Sequence, residues 1–267
     1  MSPLPIYLFL VTLFPLLAAS QPYELEWRRE AGIGGAGLLL LAADLGLSSA
    51  LSPLDEPAIS ALKTEEVWGP DRISTRHFSL AADTRSHIAL AGGLVVAGAS
   101  GWLALGKKPV PGEGTVLGLI WMETNLLATG GTLAIKDAIR RVRPFVHNPE
   151  APFHLKLEKD ARRSFFSGHT SLVAANSFFA AKVFSDYFPE SRWKPFVWGL
   201  AAALPAWTGV ERVLAGKHFP SDVLAGYGFG ALCGWLVPHL HKKEEVRLQV
   251  QPFSGNESAG LRLMLEL

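Results

Sequence analysis

Charge is scarce in this sequence. Asp, Glu, Lys and Arg make up 18% of its 267 residues, where an ordinary soluble domain carries about 25%. The two signs nearly cancel, at a net charge of +1. That excludes the concentrated basic surface a nucleic-acid binder needs. Cysteine is almost missing: Cys233 stands alone, so neither an internal disulfide nor a cysteine-based zinc site is available. No linker divides the chain, and its 26 Gly and 18 Pro follow no repeat. What is plentiful is apolar mass. At 49% hydrophobic residues, disorder is excluded. A single apolar domain remains, either a large-cored globule or a membrane bundle.

The amino terminus lacks charge altogether. Residues 4–19 form an apolar run that ends in Ala18-Ala19-Ser20, the small residues a signal peptidase reads, before Gln21-Pro22. No Lys or Arg precedes the run; Arg28 and Arg29 follow it. Residues 1–20 therefore read as a targeting segment, either a cleaved signal peptide or an anchor whose amino terminus lies outside. The body of the protein is 21–245.

Six apolar, helix-like segments follow, at roughly 30–51, 86–106, 114–140, 169–187, 195–210 and 222–240. Gly, Ala and Leu dominate them, which suits close helix packing. Only 86–106 is free of charge for more than the ~18 residues a spanning helix needs. Asp44 interrupts the first segment and Glu123 the third, and the last two hold 16 uncharged residues each. If all six span, Arg28-Arg29, Lys107-Lys108, Arg192/Lys194 and Lys242-Lys243 share one side, the cytoplasmic one by the positive-inside rule. Loops 52–85, 141–168 and 211–221 share the other. Loop 52–85, with room for one or two short helices, reads as a surface cap or as a lid. The tail 246–267 changes to an alternating pattern. Val246, Leu248 and Val250, then Leu261, Leu263, Leu265 and Leu267, flank Ser254-Gly255-Asn256-Glu257, as in a β-hairpin. Asn256-Glu257-Ser258 also fits the N-glycosylation pattern.

Three clusters carry chemistry. Lys136, Arg140 and Arg143 are spaced i, i+4, i+7, as on one helix face. Pro144 disfavours helix at Arg143, which sets that arginine near the helix end. Next, Ser164-Phe-Phe-Ser167-Gly168-His169-Thr170-Ser171 opens the fourth segment. Free amides and a helix dipole favour an anion there, and Gly168 allows close approach. Third, in Arg212-x5-His218-x3-Asp222, Asp222 is placed to accept from one imidazole nitrogen of His218 and aim the other outward, or to cap a helix. Singly, these clusters are a basic helix end, a capping sequence and an N-cap. Together they fall at one end of the bundle and bring Lys136, Arg143, Arg212 and His169 to one pocket. That combination suits a phosphoryl group, whose transfer needs charge neutralisation and positioning above all.

K-x6-R-P, S-G-H and R-x5-H-x3-D, in this order over about 115–240, resemble the type-2 phosphatidic acid phosphatase (PAP2) superfamily, which includes the vanadium haloperoxidases. The resemblance implies an all-α, six-helix bundle, transmembrane here, ahead of the short C-terminal hairpin. It implies a phosphatase that needs no metal or cofactor, with vanadate as a phosphate mimic. Carried over by motif, His218 is the nucleophile that forms a phosphohistidine, Asp222 orients it, and His169 protonates the leaving oxygen. Lys136, Arg143, Arg212, Ser167 and Gly168 hold the phosphate. Two positions depart from the usual pattern. Phe166 stands where Pro is common, and Glu211 where Ser is common; a carboxylate there opposes phosphate binding unless a cation pairs it, either Arg212 or a basic residue of 140–163.

The expected substrate is a lipid phosphate: phosphatidate, phosphatidylglycerol phosphate or a polyprenyl diphosphate. The expected place is a bacterial inner membrane with the site facing the periplasm. The alternatives are a soluble periplasmic acid phosphatase of broad specificity and a vanadate-dependent haloperoxidase, for which the chain is short. His77, His87, His147, His154, His239 and His241 show no ligand-like spacing and read as loop or headgroup-facing residues. Cys233 reads as core.

Overall fold

The computed structural model describes residues 21–107, 111–243, 247–254 and 259–266. The targeting segment 1–20, Lys108 and the turn carrying Asn256-Glu257-Ser258 lie outside the described residues. Six long helices make up the body, matching the six apolar segments: α1 (Trp27–Ser49), α3 (Leu80–Lys107), α4 (Glu113–Ile139), α6 (Gly168–Tyr187), α7 (Lys194–Leu214) and α8 (Pro220–Leu240). Two short helices, α2 (Glu56–Ser60) and α5 (Phe153–Lys156), lie in the connections, with 3-10 turns at Thr64–Glu66, Gly69–Arg76, Pro144–His147 and Lys159–Arg162. Strands β1 (Arg247–Ser254) and β2 (Ala259–Glu266) pair antiparallel, with Arg247 opposite Glu266 and Ser254 opposite Ala259.

The helix starts follow local chemistry. Pro195 and Pro220 stand in the first turns of α7 and α8, where a missing N–H costs nothing. The Asp55 carboxylate accepts from the Ala58 amide at 2.9 Å and opens α2. The Asp222 carboxylate reaches back to the Phe219 amide at 2.9 Å and closes the first turn of α8. α4 stops where Arg140 turns left-handed, at φ 55°.

α6 is the hub, packed by α3, α4, α7 and α8, while α1 lies along α4. The tightest seam is between α6 and α8. Gly226, Gly230 and Gly234 succeed one another at i+4, and a Cβ on any of them would run into the α6 backbone at Ser167, Ser171 or Ala175. Asp44, the charge that interrupts the first segment, is also explained by packing. With Asp137 of α4 it brackets Arg163, at 3.4 Å to Asp44 and 2.5 Å to Asp137.

The outside of the bundle is apolar. Leu39, Leu45, Val95, Trp102 and Leu224 are each at least 69% exposed, and an apolar belt of this kind belongs in lipid. Among the described residues, Trp27–Ser49, Leu80–Gly106 and Pro220–Leu240 are long and apolar enough to cross a membrane. The shortest, at 21 residues, spans roughly 31 Å, against a hydrocarbon core of about 30 Å. The chain is a membrane protein.

Candidate active site

One end of the bundle gathers the carboxyl ends of α4 and α7 and the amino ends of α3, α6 and α8 around a cavity of about 300 Å³. Lys136, Arg143, Gly168, His169, Arg212 and His218 all line it. The expected convergence is thus met by six of the eight motif residues. Ser167 is buried, and its hydroxyl pairs with that of Thr170 at 2.9 Å, so its side chain caps α6. Asp222 lies behind the cavity wall.

Lys136 belongs to the last turn of α4 and donates to the Arg163 carbonyl at 2.8 Å. Arg143 does not share its helix face as the i, i+4, i+7 spacing predicts. The helix has ended, Arg140 has turned left-handed, and Arg143 is extended. Its guanidinium is clamped: Nε donates to the Asp160 carbonyl at 2.8 Å, one terminal nitrogen to Asp160 Oδ1 at 2.8 Å, and the other to the Lys217 carbonyl at 2.9 Å. That last nitrogen also sits 3.2 Å from His218 Nε2. The Asp160 carboxyl is held below its usual range by the facing arginine, against the pull of burial.

His218 is 1% exposed. Its Nδ1 lies 2.7 Å from the Ser164 carbonyl oxygen. A carbonyl can only accept, so Nδ1 carries the proton and Nε2 keeps its lone pair in the neutral ring. Burial, with Lys136, Arg143 and Arg212 nearby, pushes the imidazole well below its ordinary pKa, so it stays neutral. Asp222 does not orient it directly, as expected from the spacing; Oδ2 is 3.6 Å from Nδ1. That oxygen takes the Ser164 hydroxyl at 2.5 Å and the Phe219 amide, while Arg141 binds Oδ1 at 2.5 Å. Asp222 braces Ser164, and Ser164 holds the imidazole.

The opposite wall comes from residues that the motifs do not include. Asp83, in the first turn of α3, pairs with Arg212, and Ser86 Oγ accepts from the same guanidinium at 3.0 Å. Glu211 is held by neither expected partner. Arg85 binds it through two parallel bonds of 2.9 and 2.8 Å, which cancels the charge that opposes an anion. His87, read as loop-facing, meets His169 instead, with Nδ1 of one 3.0 Å from Nε2 of the other. Deeper, buried Asp71 takes Arg141 at 2.8 Å and the Ser221 amide at 3.0 Å. Loop 52–85 is therefore bolted to the start of α8 at Asp71. The signal that marks this wall is Asp83-x-Arg85-x-His87 itself, three ionisable residues on alternate positions at the mouth of an otherwise apolar helix.

What the arrangement offers chemically is a small cationic mouth holding two imidazoles, with the Nε2 lone pair of His218 accepting from Arg143 at 3.2 Å. Residues 117–245 match the family model described as the PAP2 superfamily. Among curated proteins, it is 39% identical over 134 residues to the lipid A 1-phosphatase of Rhizobium johnstonii, covering 46% of this chain and 50% of that one. It is 32% identical over 129 residues to the lipid A 4'-phosphatase of Bacteroides thetaiotaomicron, covering 48% and 55%. With phosphatidylglycerophosphatase B of Bacillus subtilis it shares 33% over 110 residues, covering 41% and 50%. The chain thus spans about half the length of these relatives. A solved transmembrane PAP2-type phosphatidylglycerolphosphate phosphatase from B. subtilis aligns at a TM-score of 0.47 and 23% identity, over 76% of this chain and 94% of that one.

Proposed function

We propose that residues 21–245 form a membrane phosphatase that hydrolyses lipid phosphates through a phosphohistidine. The observation that carries this reading is the Ser164 carbonyl on His218 Nδ1, which leaves the Nε2 lone pair in a mouth lined by Lys136, Arg143 and Arg212. Nε2 attacks phosphorus, and the bond from phosphorus to the lipid oxygen breaks. His169, which lines the same cavity, gives that oxygen its proton. Water then attacks the phosphohistidine and returns a proton to His169. Inorganic phosphate leaves, and His218 regains its lone pair. The three cations and the amide of Gly168 neutralise the equatorial oxygens, as metal ions do in other phosphoryl-transfer sites. A pocket of this charge repels a metal ion, and none is assigned to it.

Phosphatidate, phosphatidylglycerol phosphate and polyprenyl diphosphates remain the substrate candidates. The named relatives add the phosphate groups of lipid A. The apolar exterior favours a substrate that arrives in the bilayer over a soluble ester. Arg28, Arg192, Lys194, Lys242 and Lys243 gather at the end opposite the mouth, which supports a cytoplasmic placement of that end and a periplasmic site. The test is phosphate release from these lipids in detergent with chelator present. We expect turnover in the intact protein and none in His218→Ala; turnover in the variant overturns the mechanism.

A further inference from the structure

The end of the bundle remote from the phosphate mouth holds a second convergence of polar groups. His241 follows the last turn of α8 and is fully buried. Its Nδ1 donates to the Val237 carbonyl at 2.7 Å, so the neutral ring turns a lone pair on Nε2 inward. Two carboxylates meet that nitrogen: Glu30 Oε2 of α1 at 2.9 Å and Glu123 Oε2 of α4 at 3.1 Å. The three atoms lie within 4.8 Å of one another.

One hydrogen on Nε2 cannot serve both carboxylates. A single N–H on Nε2 serves the oxygen of Glu30. Glu123 Oε2 is buried, in a residue 8% exposed, and accepts no hydrogen bond at all. The other oxygen of Glu30 is already taken by the Glu26 amide at 3.0 Å and by Arg29 at 3.4 Å, so only Oε2 faces the centre. A cation answers all three donor atoms at once. Tetrahedral zinc with bonds of about 2.0–2.1 Å sets its ligands roughly 3.3 Å apart, close to the 2.9 and 3.1 Å edges seen here. An imidazole whose far N–H is fixed by a backbone carbonyl is also the usual support for a metal-bound histidine. Imidazole and carboxylates without thiolate select a divalent first-row ion.

We infer that Glu30, Glu123 and His241 bind a divalent transition-metal ion, zinc by preference, which fastens α1 and α4 to the outgoing end of α8. The chain is already drawn together there, since the Glu24 amide donates to the His241 carbonyl at 3.0 Å. His241 lies 19 positions beyond Asp222 along the line of α8, roughly 28 Å away. The ion takes no part in phosphoryl transfer, and the inference stands apart from the phosphatase reading.

The test uses the full chain in detergent without a histidine tag, stripped with chelator and re-equilibrated with micromolar zinc chloride. Bound metal is measured by mass spectrometry and stability by thermal unfolding. We expect about one zinc per chain and a Tm raised by several degrees. His241→Gln and Glu123→Gln should each lose both, and His218→Ala should keep both. Should His241→Gln fail to accumulate, Glu123→Gln gives the same readout. Substoichiometric zinc in the intact chain overturns the site, as does full retention in the two variants. Phosphate release measured on the stripped protein reports on the other site alone.

Discussion

The phosphate mouth has two walls of opposite character. One, built from residues 136–222, supplies cations and imidazoles: Lys136, Arg143, His169, Arg212 and His218. The other, built from residues 71–87, supplies Asp71, Asp83, Arg85 and His87, which pair with groups of the first wall. Asp83 pins Arg212, Asp71 pins Arg141, and Arg85 reaches over to neutralise Glu211. Cations crowded onto one wall repel one another and lose their aim. Carboxylates behind them restore the aim without entering the space the anion needs. In the proposed function the first wall does the chemistry and the second keeps it in register.

Substitutions distinguish the two roles. The largest effect belongs to the first wall: His218→Ala should lower phosphate release by ~10⁴-fold or more, since no other group can carry the phosphoryl. Protein yield and helix content should hold. Asp83→Asn keeps the shape beside Arg212 and removes the charge, and kcat/KM should fall about 10- to 100-fold, the cost of a misplaced guanidinium. Wild-type kinetics in that variant would erase the distinction between the walls. Arg85→Ala frees the Glu211 charge beside the anion site and should raise KM about tenfold. Adding Glu211→Gln should recover most of it, a coupling of the size neighbouring charges show. A double variant as weak as Arg85→Ala sinks the pairing argument. The smallest effect is at His87, whose side chain is 60% exposed. His87→Ala should cost roughly threefold and displace the alkaline limb of the pH–rate profile, because the proton donor His169 loses its hydrogen-bond partner.

The two walls also differ in what the bare sequence discloses. Six long helices were readable because apolar runs end at Pro, Gly or charge, and the bundle follows from them. The first wall was readable because its residues sit at fixed spacings along one stretch. Those spacings misled on detail. Lys136 and Arg143 belong to different local structures because the chain turns left-handed at Arg140. Asp222 acts on His218 through Ser164, a contact between residues 58 apart that no i, i+4 rule contains. The second wall was opaque for the same reason. Asp83 and Arg212 lie 129 positions apart, and only the packing of α3 on α6 and α7 brings them together. His241 was likewise read as surface, since its partners come from two other helices.

The glycine seam between α6 and α8 has a mechanical consequence. α6 begins beside His169, and α8 begins just after His218. Where their backbones meet, even one added methyl finds no room at Gly226, Gly230 or Gly234. The two imidazoles therefore sit at the head of a helix pair locked backbone to backbone.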